Sequence, residues 1–179
     1  MRHTLKEWYG ATRNWTFPIT SVPVVATCAY LMWRGYEIRW LCAILFLVGG
    51  VIFLAAGNLI SDWWDYRKGV DTKDAYCVQN LVCHHFEPKE YMGFSVILFV
   101  VGTAIVLMLT LLCGWLVLVF GCIGTLLAVT YSFFKYRAMG ELVAIISFGV
   151  LPVICTSFFA IGFIDWHTIV LTLPLCIFS

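Results

Sequence analysis

"YMGFSVILFVVGTAIVLMLTLLCGWLVLVFGCIGTLLAVTYSFF", residues 91–134, runs for 44 positions without a charged side chain. As helix, at about 1.5 Å per residue, it would measure about 66 Å, whereas the hydrocarbon core of a bilayer is about 30 Å thick. The stretch is long enough to cross twice. Its natural fold-back is Cys113–Gly114, beside Trp115, an aromatic that suits the membrane interface. Working outward, there are three more uncharged windows: 14–33 between Arg13 and Arg34, 40–61 between Arg39 and Asp62, and 142–164. Strand-like alternation is absent, so helices rather than a barrel must satisfy the backbone in lipid. The expectation is an all-α membrane protein, a single domain over residues 1–179 with five complete transmembrane helices. Charged residues are only 12% of the chain and hydrophobic ones 62%, where a soluble domain carries about a quarter charged. That excludes a water-soluble globular domain, a disordered tail and a nucleic-acid binder with a basic face.

A sixth helix is expected to begin after Asp165-Trp166. His167 to Ser179 is 13 residues, about 20 Å of helix, where a span takes about 20 residues. The expectation is a partial sixth helix in a chain that continues past Ser179; the alternative is a re-entrant or interfacial C-terminal segment. With the N-terminus cytoplasmic, the inside loops hold Arg2, Lys6, Arg13, Arg67, Lys68, Lys73, Lys89, Lys135 and Arg137, and the opposite side only Arg34 and Arg39. Nine against two is the bias of an inward N-terminus. Residues 1–14 are polar and the first apolar stretch has full-span length, so no cleavable signal peptide is expected. "LKEWYGATRNW" (residues 5–15) reads as an interfacial amphipathic helix. The eight cysteines lie mostly inside the spans, where cysteine behaves as a small hydrophobe, so a disulfide framework is not expected.

The polar chemistry collects in two places. Four of the ten acidic residues, Asp62, Asp65, Asp71 and Asp74, fall in "AAGNLISDWWDYRKGVDTKD" (residues 55–74), at the cytoplasmic end of the second span. Asn58, Asp62 and Asp65 are spaced i, i+4, i+7 and share one face of a continuing helix. Clustered carboxylates at membrane depth require a cation, and hard oxygen ligands suit Mg²⁺, which leaves coordination positions for phosphate oxygens. The alternative is a solvated acidic loop neutralised by Arg67, Lys68 and Lys73. The second cluster, "YSFFKYRAMGE" (residues 131–141), lies on the same side. Lys135 and Arg137 there could grip a diphosphate, or could be ordinary anchors that snorkel to head groups. Together the clusters make a metal–phosphate site above an apolar bundle, suited to a substrate with a charged head and a greasy tail.

On these residues the chain resembles the UbiA superfamily of intramembrane aromatic prenyltransferases, and within it the 1,4-dihydroxy-2-naphthoate prenyltransferases of menaquinone synthesis. "ATRNWTFPITSVPVV" (11–25) is similar to the family's opening Arg and Pro-containing first helix. "AAGNLISDWWDYRKGVD" (55–71) resembles the first Asp-rich motif with a Lys-Gly-hydrophobic-Asp ending. "LVCHHFEPKE" (81–90) sits where the family has a short turn and a Pro-containing start to the third helix, and "KYRAMGE" (135–141) is similar to the basic loop before the fifth helix.

The resemblance implies a UbiA-like helical bundle in the cell inner (cytoplasmic) membrane, with the active site on the cytoplasmic side. It also implies Mg²⁺-assisted ionisation of a polyprenyl diphosphate and transfer of the prenyl group to an aromatic acceptor. By that likeness Asp62, Asp65 and Asp71 are the metal ligands, with Asp65, Asp71 and Lys135 catalytic. Asn58, Ser61, Lys68 and Arg137 are cofactor-binding, and Lys135 and Arg137 match the basic loop that grips diphosphate. Ser61 stands where the family has Asn, and His84-His85 stand where a small turn is expected. The family's second Asp-rich motif comes after the sixth helix, which this chain does not complete. Three other readings remain: a catalytically inactive half-bundle that binds prenyl lipid, a related enzyme that prenylates 4-hydroxybenzoate or another acceptor, and a CDP-alcohol phosphotransferase. The last is poor, because Tyr66 occupies its required Gly position and no Ala-Arg comes after it.

Overall fold

A computed structural model of the chain describes residues 3–69, 81, 86–134, 145–168 and 170, with side chains in the fourth long helix described through Leu127. Every regular element among the described residues is helical. Helix α1 (Leu5–Ala11) starts with a reciprocal cap: Thr4 Oγ1 accepts from the Glu7 amide, and Glu7 Oε2 accepts from the Thr4 amide at 2.7 Å. A short 3₁₀ turn, Asn14–Thr16, leads into α2 (Phe17–Trp33), whose Pro18 occupies the tolerated first turn. Then come α3 (Trp40–Lys68), α4 (Pro88–Cys113) and α5 (Leu116–Phe134). A π turn (Ile145–Val150) runs into α6 (Leu151–Ile161).

Each expected window holds helix where its residues are described, the last as a π turn followed by α6, and two helices differ in extent. Helix α3 does not stop at its first carboxylate but continues through Asp62 and Asp65 to Gly69, which closes it at φ 67°. Its 29 residues measure about 43 Å, longer than the hydrocarbon layer, so its last turns carry the acidic residues out of the apolar zone. Helix α4 begins at Pro88, ahead of its uncharged window, because Pro preorganises a first turn and Glu90 suits the positive end of the helix. The fold-back lies at Cys113–Gly114: Gly114 has φ 92° and ψ 176°, which side chains with a Cβ rarely adopt, and its amide bonds to Thr110 O at 2.9 Å.

Three helices, Asn14–Trp33, Trp40–Lys68 and Pro88–Cys113, are long and apolar enough to cross a membrane. Leu116–Leu127, the part of α5 whose side chains are described, and Ile145–Ile161 are shorter apolar stretches. The outward surfaces of α4 and α5 carry Val96, Ile97, Val100, Leu111, Leu118 and Leu126, all exposed, a distribution suited to lipid and not to water. Where the sixth helix is expected, the backbone is helical at Trp166–Thr168, with Asp165 Oδ1 accepting from the His167 amide at 3.1 Å. The rest of that expected helix, Val170 apart, lies outside the described residues.

Helix α3 is the centre of the bundle. It packs on α2, α4, α5 and α6, most extensively on α4. Small residues allow the close approach that lipid-embedded helices need: a Cβ built on Gly102 of α4 would meet the Phe53 ring of α3 at 3.0 Å. A polar bond adds to this contact, with Ser95 Oγ donating to Ala56 O at 3.1 Å.

Candidate functional site

The segment between α1 and α2 folds over the Asp-rich end of α3 and is fastened there by polar side chains. Asn58 uses both amide protons on it, donating to Thr12 O at 3.0 Å and to Thr16 Oγ1 at 2.9 Å. One turn along, Asp62 is 2% exposed. Its Oδ1 pairs with the Arg13 guanidinium. Its Oδ2 lies 3.0 Å from the Tyr91 hydroxyl of α4, which is also 3.1 Å from Ala11 O and shares its proton between the two. Arg13 reaches this position with φ 55°, the only non-glycine residue at positive φ among those described, a conformation that persists where surrounding contacts enforce it.

Below the polar fastening, Trp8 of α1 packs against Phe86, Phe94 and Tyr91, with the Trp8 and Phe94 ring centroids 4.4 Å apart. Together with buried Ala11, Leu59, Leu81 and Phe86, these rings bind α1 to the α3–α4 pair. The helix expected over residues 5–15 is observed as Leu5–Ala11, packed on the α3–α4 pair, with the chain breaking at Arg13 before a 3₁₀ turn.

A cavity of about 340 Å³ opens beside this cluster and runs down the inside of the bundle. Arg13, Thr16, Asn58 and Ser61 line one end; Phe46, Leu109, Val117, Phe120 and Phe159 line the other. From Ser61 to Phe46 along α3 is about 22 Å. Gly57 faces open space, since no atom lies within 4 Å of where its Cβ would be. Two polar groups at the cavity are buried without a hydrogen-bond partner: Arg13 Nε and Ser147 Oγ, the latter on the π turn. A buried donor without an acceptor is costly unless a ligand supplies one.

The structure brings Asn58, Ser61, Asp62 and Asp65 together on the last turns of α3. Ser61 and Asp65 are buried, at 6% and 4% exposure. Asn58 and Asp62 share the face that meets residues 12–16, as their spacing requires. All are oxygen donors, with no sulfur or imidazole between Ala55 and Gly69, so the donor set fits a hard divalent cation. Asp62, read from sequence as a metal ligand, is engaged by protein groups on both oxygens. Among the described residues no three His, Cys, Asp or Glu side chains gather in a metal-holding group. Lys68 is exposed, with its Nζ 5.7 Å from the Trp64 ring centroid, and does not line the cavity; Arg67 lies similarly over Trp63 at 5.1 Å. Asp71, Lys135, Arg137, His84 and His85 lie outside the described residues.

Sequence reasoning noticed Arg13 as a window boundary, an inside basic residue and part of a resemblance, but not as a partner of Asp62, and it missed Tyr91 altogether. A Tyr in the first turn of a span-length helix, apolar in body and polar at its tip, is the signal that could have flagged it.

Residues 21–179 match the UbiA prenyltransferase family. The chain is 31% identical over 176 residues to UbiA prenyltransferase domain-containing protein 1 of Xenopus tropicalis, covering 93% of this chain and 50% of the relative. It is 32% identical over 176 residues to the Rattus norvegicus protein of that name, covering 93% and 51%. Against the Mus musculus protein it is 30% identical over 185 residues, covering 98% and 54%. The chain spans about half the length of the curated relatives it matches.

Proposed function

The chain belongs to the UbiA prenyltransferase family, and from that premise we propose that it serves transfer of a polyprenyl group from a prenyl diphosphate to an aromatic acceptor. The observation that carries this reading is the cavity: polar and cationic where it meets the Asp-rich end of α3, apolar for the rest of its length. A diphosphate belongs at the first end and a prenyl tail along the second.

In this reading Arg13 and Ser61 meet diphosphate oxygens, and the partnerless Arg13 Nε–H gains its acceptor. Asn58 has spent both amide protons, so it presents its carbonyl oxygen. Asp65 and Asp71 would hold Mg²⁺, whose charge neutralises the diphosphate as it leaves. Asp62 is already held by Arg13 and Tyr91 and acts first as the anchor of the cavity mouth. Lys135 and Arg137 would supply further positive charge to the diphosphate. The apolar wall excludes water, so an allylic cation meets the electron-rich ring rather than hydroxide. By the likeness at residues 55–71 the acceptor is 1,4-dihydroxy-2-naphthoate, as in menaquinone synthesis. By the distribution of basic residues the site faces the cytoplasm from the inner (cytoplasmic) membrane.

The test is binding of a non-hydrolysable prenyl diphosphate with and without Mg²⁺. Asp65→Ala or Asp71→Ala is expected to weaken Mg²⁺-dependent binding by more than about tenfold, the scale seen when a metal site loses a supporting group. Unchanged binding in both variants would remove the metal–diphosphate assignment. The acceptor is tested separately, by supplying each ring to membranes that carry the full-length protein and extracting the lipids. Prenylation of 4-hydroxybenzoate alone would overturn the naphthoate assignment.

A further inference from the structure

At the end of the bundle away from the aspartates, two thiols meet. Cys42 is the third residue of α3 and Cys113 the last of α4, and their Sγ atoms are 3.3 Å apart. Both are free cysteines. The expectation that the cysteines act as small hydrophobes describes buried Cys28 and Cys155 but leaves this pair unexplained. A disulfide is about 2.05 Å long, so the two sulfurs need to approach by only about 1.3 Å. Each sits in a terminal helical turn, where adjustment is easiest.

Their exposures differ in a way that orders the chemistry. Cys42 is 5% exposed, whereas Cys113 is half-buried and adjoins the Gly114–Trp115 turn, whose Trp115 is 70% exposed. We propose that Cys42 and Cys113 are a modification site for thiol–disulfide exchange, which takes a small-molecule disulfide and closes into a bond between α3 and α4. The Cys113 thiolate attacks the reagent's S–S bond, forming a mixed disulfide and releasing one thiolate. The Cys42 thiolate then attacks the Cys113 sulfur and expels the second. The two protein thiol protons end on the two released thiols, so one disulfide is reduced for each one made.

The consequence is mechanical. Helices α3 and α4 are already joined at the aspartate end by the chain after Gly69, so the new bond closes the open end of that hairpin across a sequence separation of 71. Cys42 also packs in one cluster with Leu109, Val117, Cys155 and Phe159, which line the apolar end of the cavity. Oxidation therefore pins the helix spacing where a prenyl tail would finish.

The experiment treats the purified full chain with oxidised glutathione, traps the remaining thiols with N-ethylmaleimide, and maps the digest by mass spectrometry. A peptide pair joining Cys42 to Cys113 is expected, reversed by reductant and accompanied by a Tm rise of roughly 5 °C or more. The pair is absent from Cys42→Ala and Cys113→Ala. If both cysteines stay fully alkylatable, or each is captured by some other cysteine, the proposal fails. The crosslink is read in the unaltered protein, so a variant that does not fold leaves the result intact.

Discussion

Asp62 shows how much of the site rests on one carboxylate. It is buried at a depth where an unpaired charge is expensive, and it is compensated by a cation 49 residues away in sequence and a hydroxyl from a third element. Removing one member of such a buried pair costs about 3–5 kcal/mol, because the other is left charged and unsolvated. Arg13→Gln and Asp62→Asn are each expected to destabilise the protein by that order in chemical unfolding in detergent. The double variant should cost clearly less than their sum, since neither charge is then stranded. A double variant that costs the full sum would show that the two residues act apart. Tyr91→Phe leaves the ion pair in place and is expected to cost only about 1–2 kcal/mol. None of this pairing was legible in the sequence. It shows two charges near membrane boundaries, but not that the chain turns back at Arg13 to bring them together.

Helix α3 is the element on which the packing and the cavity both depend, and its glycines separate the two roles. At Gly102 of α4, opposite Phe53 of α3, there is no room: any side chain must displace a ring held at 3.0 Å. Gly102→Leu is expected to destabilise by about 1–3 kcal/mol through overpacking. At Gly57 there is room, and the space is the cavity. Gly57→Leu is expected to leave Tm unchanged while weakening prenyl diphosphate binding several-fold. A fall in Tm equal to that of Gly102→Leu would mean that Gly57 is a packing position and not a wall of the binding space. The elements themselves were readable beforehand, because charge-free windows of span length and the Gly114 turn are set by bilayer thickness and backbone sterics alone. The overrun of α3 past its first carboxylate was readable only from the i, i+4, i+7 spacing of Asn58, Asp62 and Asp65, and its end at Gly69 was not. Asp62 ends an uncharged window but not a helix, since backbone bonding continues wherever the side chain finds a partner. The π turn before α6 left no mark in the pattern of charges at all.

At the scale of the whole molecule, the question is which compartment the polar end of the cavity faces. A diphosphate does not cross the hydrocarbon layer, so the site works only on the side that supplies the donor. Read from sequence, nine basic residues belong to the loops on the side of α1 and the aspartates, against Arg34 and Arg39 on the other, and such an excess would be retained in the cytoplasm during insertion. The structure offers a reporter at each end, Leu5 at 89% exposure on α1 and Trp115 at 70% in the α4–α5 turn. With the reactive native cysteines replaced, Trp115→Cys is expected to react with a membrane-impermeant maleimide in sealed right-side-out vesicles. Leu5→Cys is expected to react only once they are permeabilised. The opposite pattern would put Arg13, Asn58 and Asp65 outside the cell. It would leave the cavity intact but part it from any cytoplasmic prenyl diphosphate, and the proposed transfer would have no donor. Equal labelling at both positions would mean that the bundle inserts in two orientations, and that basic residues at the aspartate end do not govern its topology.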